Sequence, residues 1–247
     1  MWYDYERDSS GNVISDATPP GPSYLREALG TDFFADVVGV NLSRSRFGDG
    51  LAPVEVLRNL EVLILDYADV TDADLDHLRG LTKLRELSLT SDQVTDIGLQ
   101  RIGELTNLTH LCLDRSQISD AELCHLSGLN RLELLFLDNT EVTDAALEYV
   151  AALSELRYLS LGGTKVSDAG LAHLEAMPNL KWLNLRHTGI TAERVAQLKK
   201  AMPNCEIFGS EAPLSLPYLG KSSIQPGLLV MNTNPLNSFE ADRCSPN

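Results

Sequence analysis

Positive charge is scarce in this chain: 20 lysines and arginines stand against 35 aspartates and glutamates, for a formal net charge of −15. Nucleic-acid affinity depends on clustered Lys and Arg, so no nucleic-acid partner is expected. A basic protein partner fits the sign of the charge, and so does plain solubility. No apolar run reaches the roughly 20 residues that a membrane helix needs, and no signal peptide is recognisable at the start. As written, the chain is expected in the cytoplasm. Cysteine is also sparse, and Cys112, Cys124, Cys205 and Cys244 are too scattered to form a disulfide framework, so reduced thiols are the expectation. The sequence contains no G-x-S-x-G, no Walker loop, no G-x-G-x-x-G and no H-E-x-x-H. Neither an enzyme nor a cofactor is expected from motifs of this kind.

What the chain has in abundance is one leucine pattern, LxxLxxLxLxxxxV/I, which begins at Leu57, Leu81, Leu105, Leu129, Leu153 and Met177. Its fourth position is always leucine (Leu60, Leu84, Leu108, Leu132, Leu156, Leu180), and so is its ninth (Leu65, Leu89, Leu113, Leu137, Leu161, Leu185). Phe34, Val37, Val40, Leu42 and Phe47 hold the same places one repeat earlier. A fixed period of this length predicts a leucine-rich repeat solenoid, an α/β horseshoe of about seven 24-residue repeats with a parallel concave β-sheet and convex helices. Positions seven and nine share one side of a short strand and face inward, while positions six and eight face out. After each strand the residues return to helical spacing, as in Asp96-Ile97-Gly98-Leu99-Gln100-Arg101-Ile102. Thr71, Thr95, Ser119, Thr143 and Ser167 are placed as helix N-caps, with the aspartates that follow them complementing the helix dipole.

A solenoid cannot end on a bare leucine face, so both ends need covers. Residues 1–33 form an N-terminal extension in which Ser23 to Gly30 reads as a capping helix behind the Pro19-Pro20-Gly21-Pro22 turn. Residues 34–208 form the solenoid, closed by Met202 to Phe208 as a truncated eighth strand. From 209 to 247 the leucine register is lost and a disordered tail is expected; its one short apolar run, Gly227 to Met231, could instead dock as a strand or act as a peptide ligand.

Because leucines and capping residues build the coil, function is sought in the outward strand positions. Column six reads Gly39, Val62, Glu86, His110, Leu134, Tyr158, Trp182, and column eight reads Asn41, Ile64, Ser88, Cys112, Phe136, Ser160, Asn184. Leu134, Phe136, Tyr158 and Trp182 fall on three successive strands about 4.8 Å apart and are expected to form one exposed patch suited to an as yet unidentified protein partner. Mutual packing, or cover by the tail, is the competing reading. At the other end, Glu86, His110, Cys112 and Asp114 cluster at i, i+2, i+4 spacing on one strand and its neighbour, the only arrangement that could hold a metal or an activated thiol. An open, wet face works against both, so these four are read as a polar edge. His77, His125 and His173 recur on the helical side two repeats apart, too distant to share one metal.

The repeat Leu-Gly-Gly-Thr-Lys-Val-Ser-Asp-Ala-Gly-Leu-Ala-His-Leu at 161–174 resembles the T-x-V/I-T/S-D-A-G-L repeats of bacterial, planctomycete-type leucine-rich repeat proteins. It is also similar to the repeats of F-box leucine-rich repeat proteins, though no F-box precedes it. The resemblance covers residues 2 to about 208, including Trp2-Tyr3-Asp4-Tyr5-Glu6 and the segment around Asp32-Phe33-Phe34. It implies a non-catalytic interaction scaffold. Relatives with this cap commonly carry a membrane-spanning helix upstream, which implies an anchored envelope protein, or a purely architectural one, as the alternative.

Overall fold

The computed structural model of the protein describes residues 37–46, 50–91 and 93–209, together with the backbone of 228–230. The expected cap helix at 23–30, Phe34, Phe47, Cys244 and most of the tail lie outside the described residues.

Each repeat contributes one three-residue strand: β1 (Gly39–Asn41), β2 (Val62–Ile64), β3 (Glu86–Ser88), β4 (His110–Cys112), β5 (Leu134–Phe136), β6 (Tyr158–Ser160) and β7 (Trp182–Asn184). The truncated strand that seals the far end is β8 (Glu206–Phe208). All pair in parallel and in chain order, with column six of each strand beside column six of the next, from Gly39 and Val62 through to Trp182 and Glu206. One piece of the tail is described: β9 (Leu228–Val230) pairs in parallel with β1, on the side away from β2. Of the run expected at 227–231, residues 228–230 pair as a strand, and the rest lies outside the described residues.

The leucine columns fill the interior. Among the fourth- and ninth-position leucines, none is more than 4% exposed, and one continuous cluster runs from Val37 to Ile207. The return half of the repeats is more varied than helical spacing suggests. Four are α-helical for at least part of their length: α1 (Asp96–Ile102), α2 (Leu147–Ala151), α3 (Leu171–Glu175) and α4 (Ala192–Ala201). Others are 3-10 turns, at Ala52–Val56, Asp74–Leu78 and Ala121–Gly128, and a fourth at Asp144–Ala146 leads into α2. A 3-10 turn advances about 2.0 Å per residue against about 1.5 Å for an α-helix, so it is the more extended form of the return. Both place the same apolar residues against the sheet, as Leu75, Leu99, Leu123, Leu147 and Leu171 are all buried.

The T/S-D residues do more than cap. Thr95, Thr143 and Thr191 accept first-turn amides, from Ile97, Ala145 and Arg194. The aspartates, expected to serve their own helix dipole, instead reach the next repeat. Asp72 accepts the backbone N–H of Thr95 at 2.8 Å and its hydroxyl at 2.6 Å. Asp96 does the same for Ser119, Asp120 for Thr143, Asp144 for Ser167 and Asp168 for Thr191. Five carboxylates thus staple consecutive turns of the solenoid.

A second ladder follows the strands. Arg44, Tyr67, Arg115, Asn139, Gly163 and His187 take positive φ, between 56° and 69°, at the same point of six repeats. That conformation turns the backbone N–H of Arg115 onto Asp138 O and that of Asn139 onto Gly162 O. The next residue closes the corner, as the hydroxyls of Ser116, Thr140, Thr164 and Thr188 donate to the carbonyls of Leu113, Leu137, Leu161 and Leu185.

Candidate functional site

With the leucines turned inward, columns six and eight stand on the sheet face opposite the helical layer. On β5 to β8 these columns bring Leu134, Phe136, Tyr158 and Trp182 together, and Cys112 and Phe208 complete the group. It is an apolar cluster separate from the leucine core. Phe136 and Trp182 come from strands two apart, with their ring centroids 5.9 Å apart, and Trp182 packs against Phe208 at 5.7 Å. Ser160, paired with Phe136 on the strand between, is small enough to let the two rings meet diagonally across β6. Tilted aromatic pairs at this spacing gain about 0.5–1.5 kcal/mol beyond the area they bury. Phe208, on the truncated eighth strand, was legible by extending column eight one period beyond Asn184; the columns read over seven repeats stop one strand short of it.

The patch is assembled but not exposed. Leu134 and Phe136 are 3% exposed and Trp182 is 2% exposed, while Tyr158 is half-buried. This corrects the expectation of an open patch. Neighbours in a sheet shield the flanks of a side chain, but its tip points away from the sheet and stays wet unless something lies over it. Val62, at column six of β2, is also only 2% exposed, so the shielding extends toward the other end of the face.

The His110 strand does not gather its four residues around one point. The His110 Nδ1 lies 2.9 Å from the Thr109 hydroxyl, and its ring faces Glu86 across the strand pair. Cys112 Sγ sits 3.7 Å from the Thr90 hydroxyl. Asp114 accepts the backbone N–H of Asp138 at 2.8 Å, which makes it a rung between repeats. Among the described residues no three His, Cys, Asp or Glu side chains converge as a metal site would need. Burial raises the Glu86 carboxyl above its ordinary value, against the pull of His110 and with a push from Glu61. Burial raises Asp114 further, helped by Cys112 and Asp138. Asp138 is also raised by burial, although it accepts the Ser160 hydroxyl at 2.5 Å, the Gly162 N–H at 2.6 Å and a longer contact from Asn184. Asp114 and Asp138 thereby link consecutive repeats beside the strands. Cys112 and Cys205 are buried and Cys124 is half-buried, none of them in a disulfide. His77 lies beside Glu55 of the preceding repeat, and His125 beside Glu122 of its own 3-10 turn.

Among solved structures, the chain is similar to internalin C2 of Listeria monocytogenes, with 28% identity and a TM-score of 0.58 over 73% of this chain and 74% of that one. The fold is a leucine-rich repeat solenoid. A leucine-rich repeat protein of Leptospira interrogans is similar at 26% identity and a TM-score of 0.57, over 68% of this chain and 42% of that one. No family model matches the sequence, and no curated protein does. Both structural relatives are bacterial leucine-rich repeat proteins, which supports a protein-interaction scaffold with protein partners as the general class of function, rather than an enzyme. Among the described residues, no helix is long and apolar enough to cross a membrane.

Proposed function

We propose that the protein is a non-catalytic scaffold that binds a protein partner on its concave sheet, with Leu134, Phe136, Tyr158 and Trp182 as anchors. The observation that carries this reading is the second apolar cluster. Repeat stacking needs only the leucine columns, and these form a complete core of their own. The aromatic residues on the other face are not part of that core, yet they occupy four consecutive strands and pack against one another. Large aromatic anchors in a desolvated patch are where binding energy concentrates. The net charge of −15 favours a basic partner, whose charges would surround the apolar anchor and speed encounter at low salt.

The test is affinity capture with the full chain carrying Phe136→Ala, Tyr158→Ala and Trp182→Ala. The triple variant is expected to lose the partners held by the parent protein while keeping its far-UV circular dichroism. Retention of the same partners by a folded triple variant would place the binding surface elsewhere. Capture that weakens steeply with added salt would support the basic partner; capture indifferent to salt would remove that part of the reading.

A further inference from the structure

The arginines of the described residues divide by surface. Arg79, Arg85, Arg101, Arg157 and Arg194 are held in ion pairs, while Arg58 donates to the Gly80 carbonyl and Arg131 to the Asn107 side chain. Among the described residues, the guanidiniums left with neither a hydrogen bond nor an ion pair are those of Arg44, Arg46, Arg115 and Arg186. All of them stand on one rim, just past the ends of strands: Arg44 and Arg46 follow β1, Arg115 follows β4 and Arg186 follows β7. The Nε of Arg186 is buried without a partner, a donor that an acceptor arriving at the rim would satisfy. Carboxylates are in excess over the chain as a whole, so the lack of pairing is a property of this rim. The carboxylates near it are committed elsewhere. Asp66 accepts the Ser88 hydroxyl and the Thr90 N–H, Asp114 the Asp138 N–H, and Asp138 the Ser160 hydroxyl and the Gly162 N–H. Glu141 pairs with Lys165, and Asp69 is engaged as well.

Backbone conformation is a second, independent observation at the same place. Arg44, Tyr67, Arg115 and His187 take positive φ at the corner where Asn139 and Gly163 take it in their own repeats. Glycine and asparagine adopt that region readily, whereas other residues there cost about 1–2 kcal/mol each. Burial is not the reason for the larger side chains, because all four are exposed, Tyr67 to 54%. Arg44 lies over the Tyr67 ring, 6.0 Å from its centroid, and the pair forms a stacked, solvent-facing platform. No residue of this positive-φ row is a carboxylate.

Spacing defines what fits. β1, β4 and β7 are three strands apart, so Arg44, Arg115 and Arg186 recur roughly every 14 Å along the rim. An extended chain covers that distance in about four residues. The guanidinium fork matches a carboxylate with two parallel hydrogen bonds. A nucleic-acid strand carries a phosphate about every 3.4 Å, far denser than these cations, and it also meets the net charge of −15.

We propose that this rim is a second interaction surface, which binds an extended acidic segment of a protein partner. The segment runs across the strand ends with carboxylates about four residues apart, on Arg44, Arg115 and Arg186. The Arg44–Tyr67 platform anchors its front end. This surface is separate from the concave cluster and does not rest on it. Its sign is opposite to that of the basic partner favoured by the whole net charge, so the two readings require opposite charges of their ligands.

The probe is a synthetic peptide, Glu-Thr-Ser-Thr-Glu-Thr-Ser-Thr-Glu, titrated at low salt into the isotope-labelled full chain and followed by NMR. The largest amide shifts are expected at Arg44, Tyr67, Arg115 and Arg186, saturating with peptide, and the same peptide with glutamine for glutamate should leave them unmoved. The full chain with Arg44→Gln, Arg115→Gln and Arg186→Gln is expected to bind at least about tenfold more weakly. A charge-matched control, Lys181→Gln, Lys199→Gln and Lys200→Gln on other surfaces, should bind as the parent does. Because Arg186 is half-buried, the Arg44→Gln, Arg115→Gln double variant is read alongside and should lose about threefold or more. Equal weakening in the lysine control reduces the effect to net charge and overturns the inference. Shifts without preference for the rim, or no binding of the peptide, overturn it too. An oligothymidylate of the same length that binds the rim as tightly makes it a general anion surface, which also contradicts the acidic segment. The two readings fail separately: the arginine variants leave Phe136, Tyr158 and Trp182 in place, and the alanine variants of those three leave the rim intact.

Discussion

Asp120 shows how much of this fold rests on single side chains that look merely local. Its two oxygens take the N–H and the hydroxyl of Thr143, 23 residues away, at 2.7 and 2.6 Å. Hydrogen bonds to a charged group contribute about 1.5–3 kcal/mol each way they are counted, and truncation also strands the Thr143 N–H. Asp120→Ala is therefore expected to cost about 1–3 kcal/mol, read as a lower midpoint in urea unfolding. A midpoint equal to the parent's would mean that the staple carries no stability. The sequence made Asp120 visible but not its partner, because a serine or threonine followed by aspartate is equally well explained by its own helix. Only the constant spacing to the next such pair, set by the repeat, could have pointed outward. The positive-φ corner was less legible still. Asn139 and Gly163 favour it, but Arg44, Tyr67, Arg115 and His187 occupy the same corner against their preference, the first three held by the ladder bond that each backbone N–H makes. Asp114 misled for a similar reason. Its spacing from His110 and Cys112 looked like chemistry, whereas its carboxylate serves the Asp138 amide.

At the scale of the element, leucine spacing located every strand from β2 to β8 and its register, since a three-residue strand with a fixed inward position has little freedom to slip. It did not separate α-helix from 3-10 turn in the return half, because both bury the same face over so short a length. Close approach between neighbouring returns is the stricter requirement. A Cβ placed on Gly103, just after α1, would lie 2.4 Å from the carbonyl oxygen of His125 in the following 3-10 turn. Backbone cannot yield as a flexible side chain would. Gly103→Ala is expected to destabilise the protein by about 1–3 kcal/mol, despite alanine's better helix propensity. The check is a thermal melt: an unchanged or higher Tm would show that the two returns separate freely. At Gly98 and Gly170 the obstruction is instead a staple aspartate and a leucine of the preceding repeat. The glycine of the D-A-G-L pattern therefore makes room for the inter-repeat staple, which ties that motif to stacking rather than to chemistry.

The molecule as a whole presents two apolar surfaces to explain, one inside the coil and one on its concave side. The inner one was legible in full because leucine recurs in strict columns. Four residues of the outer one were legible from the same columns, but their environment was not: columns give the direction of a side chain and say nothing of what lies over it. Together these features describe a repeat scaffold with one core for stacking and a second apolar cluster on its concave side. Affinity capture tests the proposed role of that cluster most directly, with the full chain compared against the same chain carrying Phe136→Ala, Tyr158→Ala and Trp182→Ala. The account predicts that the folded triple variant holds the parent's partners at least tenfold more weakly, about 1.4 kcal/mol or more. Equal capture by both proteins would contradict it.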